Sequence, residues 1–163
     1  MVVVFFLSNY KNKVDKKGRV SVPSQFRAIL RNEEFDGIIV YKSFINDCLE
    51  GCSWSKMKKL SESIDNLDDF SPERDILATA ILGSSHQLIF DKEGRVILPK
   101  DLSSGVGISE QATFVGKGDK FEIWDTVKFN KHLGEVHKLA KENILKLKFS
   151  NQQNNPSNPS NPS

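Results

Sequence analysis

The chain has 163 residues, of which 38% are hydrophobic, 27% charged and 9% aromatic, and its formal net charge is +2. This is the composition of an ordinary globular protein. The apolar run at residues 2–7 is too short for a membrane-spanning helix, and it lacks a basic leader and a cleavage site. Cys48 and Cys52 provide no disulfide framework. We therefore expect a cytoplasmic protein without a membrane partner.

The charge is unevenly distributed along the chain. Residues 9–31 carry seven basic side chains and one acidic side chain, whereas residues 55–126 carry nine basic and thirteen acidic ones. The basic side chains of the first stretch are Lys11, Lys13, Lys16, Lys17, Arg19, Arg27 and Arg31. A basic patch can attract phosphate groups, and a solvated charged surface is the alternative interpretation.

A buried or edge strand is predicted at residues 2–7, and the next predicted element is a hairpin in the phrase DKKGRVSVP, which begins at Asp15. Asp15 suits the first position of a type I turn, because its carboxylate can accept a backbone N–H two residues further on. Gly18 suits the left-handed position that follows. The alternation of Val20 and Val22 predicts a strand with one buried face. Pro23 has no N–H, so it ends the strand and begins a short helix.

Strands and helices are predicted after this hairpin. Residues 37–41 and the stretch from Cys48 indicate two strands. Apolar residues then recur at spacings of three and four over residues 54–67, which predicts an amphipathic helix. Ser71 and Pro72 are typical of a helix N-terminus, and this second helix should end near Gly83.

The phrase then recurs as DKEGRVILP, from Asp91 to Pro99, at an offset of 76 residues. Asp91, Gly94 and Pro99 repeat the roles of Asp15, Gly18 and Pro23. Strands are predicted again at residues 112–116 and from Phe121, and a lysine-rich amphipathic helix follows. The final segment, NQQNNPSNPSNPS, has no apolar side chain and should be a disordered tail.

The two halves are too small to be stable separately, because each has only about fifty residues of strand and turn. We expect an α+β, mainly β fold: a pseudo-two-fold β-barrel in which two related hairpin repeats share one core, with flanking helices. The expected segments are a first repeat at 6–54, a helical connector at 55–82, a second repeat at 83–126, a C-terminal helix at 127–149 and the tail at 150–163.

Two residues are not explained by the turns alone. Arg19 and Arg95 each lie four residues after the aspartate of their phrase. One interpretation is an exposed Asp–Arg pair across the turn, which stabilises a fold by about 0–1 kcal/mol. The other is that each arginine faces a phosphate or a base edge while the aspartate holds it in position. Spacing alone favours the first interpretation.

With these motifs the chain resembles the MraZ family of bacterial transcriptional regulators. The resemblance rests on the doubled D-x-x-G-R-x-x-x-P phrase, the strand FEIWD after the second copy and the helix between the halves, and it covers residues 6–149. The family's repeats resemble the SpoVT-AbrB, or swapped-hairpin, type of DNA-binding domain. The resemblance implies a nucleoid-associated protein that forms rings on repeated promoter elements ahead of a cell-division and cell-wall gene cluster.

The family's D-x-x-x-R motif falls on Asp15 and Arg19, and on Asp91 and Arg95. The partners that the resemblance implies are double-stranded DNA and further copies of the chain. Arg19 is the candidate for base reading, since arginine can bond a guanine edge with two donors. Arg95 has acidic surroundings, and packing or a subunit contact is its alternative role. Phosphate contacts are expected from Lys11, Lys13, Lys16 and Lys17.

The chain departs from the family pattern in three places. Ser8 stands where the family usually has glycine. Met57 occupies a position often held by tryptophan, with Trp54 nearby as a substitute. The Pro/Asn/Ser tail is extra. None of these departures lies in the repeated phrase, so they bear on packing and not on the expected function.

The sequence gives little support to an enzyme. GKGDK at residues 116–120 lacks the spacing of a phosphate-binding loop and is expected to be a hairpin turn. Cys48 and Cys52 have no second cysteine pair for zinc. We expect no catalytic residue, no metal, no cofactor and no small-molecule substrate. The remaining alternative is a non-catalytic, antitoxin-like protein-binding or scaffold role.

Overall fold

The computed structural model describes residues 5–148, and within them the chain forms eight strands and five α-helices. The strands are β1 (Asn9–Lys13), β2 (Arg19–Ser21), β3 (Gly37–Lys42), β4 (Leu49–Cys52), β5 (His86–Ile89), β6 (Arg95–Ile97), β7 (Gln111–Gly116) and β8 (Phe121–Asp125). The helices are α1 (Ser24–Leu30), α2 (Trp54–Asp65), α3 (Pro72–Leu77), α4 (Lys100–Gly105) and α5 (Thr126–Asn143). A π-helical segment, Ala78–Leu82, continues α3, and a 3-10 turn, Ile144–Lys146, follows α5.

The chain divides into two compact units after Asn130. The second unit begins at Lys131, and its described part, up to residue 148, holds the last turns of α5 and the 3-10 turn. The expected tail at residues 150–163 lies outside the described residues. In the part of the chain that is described, no helix is both long and apolar enough to cross a membrane.

Six strands form one antiparallel sheet in the first unit, in the order β1-β7-β8-β4-β3-β5. The remaining strands, β2 and β6, form a separate antiparallel pair, here called the ribbon. The partner of the first strand is distant in sequence: β1 pairs with β7, so that Lys11 lies opposite Thr113. The mixed α/β fold with a mainly antiparallel sheet agrees with the expected class.

The expectation of a closed β-barrel is wrong. In the six-stranded sheet β1 and β5 are edge strands, and they are not paired with each other. Closure would require the strand after each turn to continue the sheet, yet β2 and β6 have only three residues each and pair with one another. Within the first phrase only a single bridge, between Val14 and Val20, joins the two sides of the turn.

The main core lies on one face of the sheet. Because side chains alternate along a strand, Phe121 and Ile123 of β8 join this core while Glu122 and Trp124 face the other side. An aromatic cluster fills the centre, where the Phe6 and Phe121 ring centroids are 5.0 Å apart. The ribbon closes this core with its valines, Val20 and Val96, which are 0% and 1% exposed.

A second hydrophobic cluster packs α2 against the opposite face of the sheet. Met57 is buried there together with Ile39, and Trp54 packs beside Phe35 with ring centroids 6.1 Å apart. The side chain of Ser53 accepts from the backbone N–H of Lys56 and caps the helix. Met57 and Trp54 thus belong to the same cluster.

Buried carboxylates also line this second face. Glu50 and Glu122 lie opposite each other on β4 and β8. Glu50 accepts from the Tyr41 hydroxyl at 2.6 Å, and Glu122 accepts from the Asn46 amide at 3.0 Å. Burial raises the pKa of Glu122, but its hydrogen bonds outweigh burial, and its pKa is lowered overall.

Ser8 has a left-handed backbone with φ of 70°, which no other non-glycine residue has within residues 5–148. Its carbonyl accepts from the Gly116 N–H at 2.8 Å, just before β1 begins. A left-handed conformation strains a residue with a Cβ and suits glycine. Glycine would therefore adopt this conformation more readily than Ser8 does.

Candidate nucleic-acid interface

The first turn is organised by one carboxylate. Oδ1 of Asp15 accepts from the backbone N–H groups of Lys17 and Arg19, both at 2.9 Å. Its Oδ2 accepts from Nε of Arg19 at 2.6 Å. Gly18 follows in the left-handed conformation, with φ of 81°. The backbone bond from Arg19, with smaller contributions from its side chain and Lys17, lowers the pKa of Asp15 although partial burial opposes this.

The second turn makes the same contacts. Oδ1 of Asp91 accepts from the N–H groups of Glu93 and Arg95, both at 2.9 Å, and Oδ2 accepts from Nε of Arg95 at 2.8 Å. Gly94 has φ of 76°. Chiefly because of the Arg95 backbone bond, the pKa of Asp91 is also lowered. Each aspartate is therefore ionised at neutral pH and fixes the guanidinium that follows it.

The ribbon brings the two turns together. Arg19 lies opposite Ile97, and Arg95 lies opposite Ser21. These four side chains form the outer face of the ribbon, since Val20 and Val96 between them point into the core. Diagonal neighbours on an antiparallel pair are about 7–8 Å apart, so both arginines share one exposed face. The sequence alone did not reveal this proximity.

The two arginines differ in the contacts of their terminal amino groups. Within residues 5–148 the terminal amino groups of Arg19 have no hydrogen-bond partner, because only its Nε is engaged. In contrast, Nη2 of Arg95 lies 3.4 Å from a carboxylate oxygen of Glu93. The matching place in the first turn is held by Lys17. Arg19 is thus oriented by Asp15 while its paired donors remain available for a guanine edge.

Four lysines surround the first turn. Lys11 and Lys13 project from the exposed face of the edge strand β1, and Lys16 and Lys17 are exposed in the turn itself. None of the four forms an ion pair with another described residue.

A hydrogen bond joins β1, the strand that carries Lys11 and Lys13, to the ribbon. The Asn12 side-chain amide donates to the Ser21 carbonyl at 2.7 Å and so fixes β1 beside β2. By comparison, Lys56 and Lys128, which lie elsewhere in the first unit, are each paired with an aspartate. The unpaired charges beside the turn are available to phosphate groups.

Two further residues, Arg27 and Glu93, act on the second turn; the charge pattern placed Arg27 only within a basic stretch, and no pattern assigned a role to Glu93. Arg27 of α1 donates from Nε to the Val22 carbonyl at 3.1 Å, and its guanidinium packs against Gly94. A Cβ on Gly94 would lie only 2.5 Å from that group. Glu93 stands where the first phrase has Lys17, at its third letter, and this reversal of charge is a sequence signal that the turns are unequal.

The features considered for catalysis have structural roles. Residues 116–120 form the turn between β7 and β8, with Gly118 at φ of 85°. Cys48 and Cys52 are buried, and burial raises the pKa of both thiols, that of Cys52 to about 12. Within residues 5–148 no three His, Cys, Asp or Glu side chains are grouped as a metal site would require.

Comparison with known proteins identifies similar chains. The model of a family described as "MraZ protein, putative antitoxin-like" matches residues 81–150. A Rickettsia felis protein named Transcriptional regulator MraZ is 52% identical over 146 residues, which is 90% of this chain and 98% of that protein. Proteins of the same name from Rickettsia akari and Rickettsia bellii are 51% and 50% identical, with the same shares covered.

Proposed function

The chain belongs to the MraZ family, and from this premise we propose that it is a sequence-specific DNA-binding transcription regulator. The names of its relatives support a role in transcription regulation. The observation that carries DNA binding is the outer face of the ribbon, where Arg19 and Arg95 are each held by an aspartate. We place the protein in the cytoplasm, associated with the nucleoid, and assign it no catalytic role or cofactor.

In this proposal Arg19 reads a base and the lysines hold the backbone. Asp15 fixes Nε, so the terminal amino groups of Arg19 can reach O6 and N7 of a guanine in the major groove. Phosphate contacts from Lys11, Lys13, Lys16 and Lys17 would position the ribbon and set the salt dependence of binding. Such phosphate contacts carry no sequence information by themselves.

A two-fold relation between the repeats is part of the proposal. The sheet order reads as β1-β7-β8 followed by β4-β3-β5, so each repeat's first strand pairs with a strand of the other repeat. The ribbon supports it too, because Val22 donates to the Gly94 carbonyl and Leu98 to that of Gly18. We retain the segments at 6–54, 55–82, 83–126 and 127–149 on this basis.

We also propose that copies of the chain assemble into a ring on repeated promoter elements ahead of a cell-division and cell-wall gene cluster. One ribbon presents few side chains to DNA, which is too little for tight binding. Several ribbons held in one assembly raise the effective concentration at each further DNA repeat and so increase the affinity without new contacts.

Fluorescence anisotropy at two salt concentrations tests DNA binding. The purified protein is titrated with a duplex from upstream of its own gene and with a scrambled duplex, and Arg19→Ala should lose about 1–3 kcal/mol of the preference between them. Lys59→Ala removes an exposed charge of α2 that forms no ion pair with another described residue, so it is the matched control and should keep the preference.

Circular dichroism confirms that each variant is folded. Equal, weak binding of both duplexes, unaffected by Arg19→Ala, would contradict the proposal. The protein-binding scaffold role would then be the better explanation.

A further inference from the structure

We propose that a cavity beside the second turn binds a phosphate group of the DNA backbone; this inference rests on the proposed function. The cavity has a volume of about 220 Å³ and is lined by three basic side chains, Arg27, Arg31 and Lys92. Asp36, Asp91 and Gly94 also border it. This volume is large enough for a phosphate group.

Helical spacing places the two arginines on one side of α1. Arg27 and Arg31 are four residues apart, and Arg31 continues the helical conformation at the C-cap. The buried side chains Phe26 and Leu30, each about 100° around the helix axis from the arginine that follows it, hold α1 in the core. Both guanidinium groups are therefore carried on a firmly anchored helix.

The glycine of the turn makes room for one of these groups. Gly94 has no Cβ, and the Arg27 guanidinium occupies the space that a Cβ would need. The bond from Nε to the Val22 carbonyl leaves the terminal amino groups of Arg27 for the cavity. Arg27 thus has a fixed orientation before any ligand binds, which lowers the cost of ordering it.

The charges around the cavity favour an anion. Arg31 and Lys92 form no ion pair with any described residue. The Asp91 carboxylate is already engaged by two backbone N–H groups and by Nε of Arg95. Asp36 is the acidic side chain of the lining that would repel an anion. Its negative charge is not offset, because no hydrogen bond to its carboxylate is formed within residues 5–148. Three cations and one free carboxylate predict a site of moderate strength for phosphate.

The position of the cavity indicates where the phosphate comes from. Asp91 borders the cavity and also holds Arg95 on the outer face of the ribbon. A duplex lying against that face would bring its backbone to the same turn. The positions of the second repeat that match Arg27 and Arg31, 76 residues further along the chain, hold Ser103 and Gly107. The second repeat therefore offers no matching arginines to the first turn. The first turn would then read a base while the second anchors the backbone.

The salt dependence of duplex binding tests the site. Arg31→Gln should weaken binding of native and scrambled duplexes alike, by about threefold to tenfold at low salt, and reduce the slope of log K against log salt by about 0.9, the value for one phosphate. Asp36→Asn should tighten binding. Lys59→Gln is the matched control for a lost surface charge and should change neither quantity.

Titration with inorganic phosphate, followed by thermal unfolding, separates the two sources of the group. If phosphate stabilises the wild type but not Arg31→Gln, and the DNA slope is unchanged, the site is upheld with a free phosphate as its occupant. If neither the slope nor the phosphate response depends on Arg31, the inference is overturned. The proposed function fails on a different result, namely a wild type without duplex preference.

Discussion

Glu93 lies 3.4 Å from Nη2 of Arg95, whereas no acidic side chain other than Asp15 pairs with Arg19 within residues 5–148. An exposed ion pair of this length contributes about 0–1 kcal/mol, so Arg95 can be released from it easily. The larger effect of Glu93 is its negative charge, which faces the same side as the DNA that we propose to bind there. In the proposed complex this charge would oppose the approach of Arg95 to DNA.

Replacing that charge should strengthen DNA binding. Glu93→Lys restores the residue found at the matching place in the first turn, and we expect about a tenfold gain in duplex affinity at low salt, since one repulsion is lost and a phosphate contact becomes possible. Fluorescence anisotropy measures this gain in affinity. Glu62→Lys, the same reversal on α2, is the control.

A double-mutant cycle separates release of Arg95 from a general charge effect. In an Arg95→Ala background the part of the gain that depends on Arg95 should disappear. A gain of equal size with and without Arg95 would show that Glu93 does not act through this arginine.

Alanine at the two turn glycines should have unequal costs. Both positions have positive φ, which strains alanine by about 1–2 kcal/mol. At Gly18 the new Cβ would also lie 2.9 Å from the backbone oxygen of Leu98, whereas at Gly94 it meets the guanidinium of Arg27, a side-chain group that can move away by giving up its one bond to the Val22 carbonyl. Gly18→Ala should therefore cost about 2–3 kcal/mol of unfolding free energy, and Gly94→Ala about 1–2 kcal/mol.

Denaturant unfolding measures both costs. Gly105→Ala is the matched control, since nothing lies within 4 Å of its added Cβ. Equal losses at Gly18 and Gly94 would contradict the distinction between a fixed backbone atom and a movable side chain.

Glycine at position 8 should stabilise the protein. The left-handed backbone of Ser8 is strained, whereas glycine adopts this conformation freely. The stabilisation gained by removing the strain is reduced by the greater entropy of glycine in the unfolded chain. We expect Ser8→Gly to add about 0.5–1 kcal/mol to the unfolding free energy, seen as a higher Tm. Ser104→Gly, inside α4, is the control. It adds the same unfolded-chain entropy but relieves no left-handed strain, so it should lower the Tm.

Acid should weaken both turns. The pKa values of Asp15 and Asp91 in the folded protein lie below 3.8, so their contribution is fully present above that value and is lost as the pH falls below it. The thermal stability of the wild type should exceed that of Asp15→Asn by a constant amount above about pH 5, and the difference should shrink towards pH 3. A difference that is independent of pH would contradict this assignment.

Local features of this fold were predictable from the sequence, and distant pairings were not. Turn chemistry identified the positions of Asp15 and Gly18, and Ser71 with Pro72 marked the start of α3, because such preferences depend on a few neighbouring residues. The spacing of apolar residues likewise predicted α2.

Strand partners depend on contacts between residues far apart in the chain. That Lys11 lies opposite Thr113, or Arg19 opposite Ile97, is not encoded in any local pattern. The expected barrel was wrong for this reason, because β2 and β6 pair with each other across the two halves and stand outside the six-stranded sheet. The contact of Arg27 with Gly94 was hidden likewise, because α1 and the second turn meet only in the folded chain.

The pairing of β1 and β2 with strands of the other half has a consequence for synthesis of the protein. Residues 9–21 leave the ribosome early, yet their partners lie at residues 95–97 and 111–115. At 5–20 residues per second these first strands wait roughly 5–20 s for their partners. A nascent chain that stalls in the connector exposes an unpaired, lysine-bearing strand and has no ribbon. The surface proposed to meet DNA thus forms only after β6 and β7 have been synthesised.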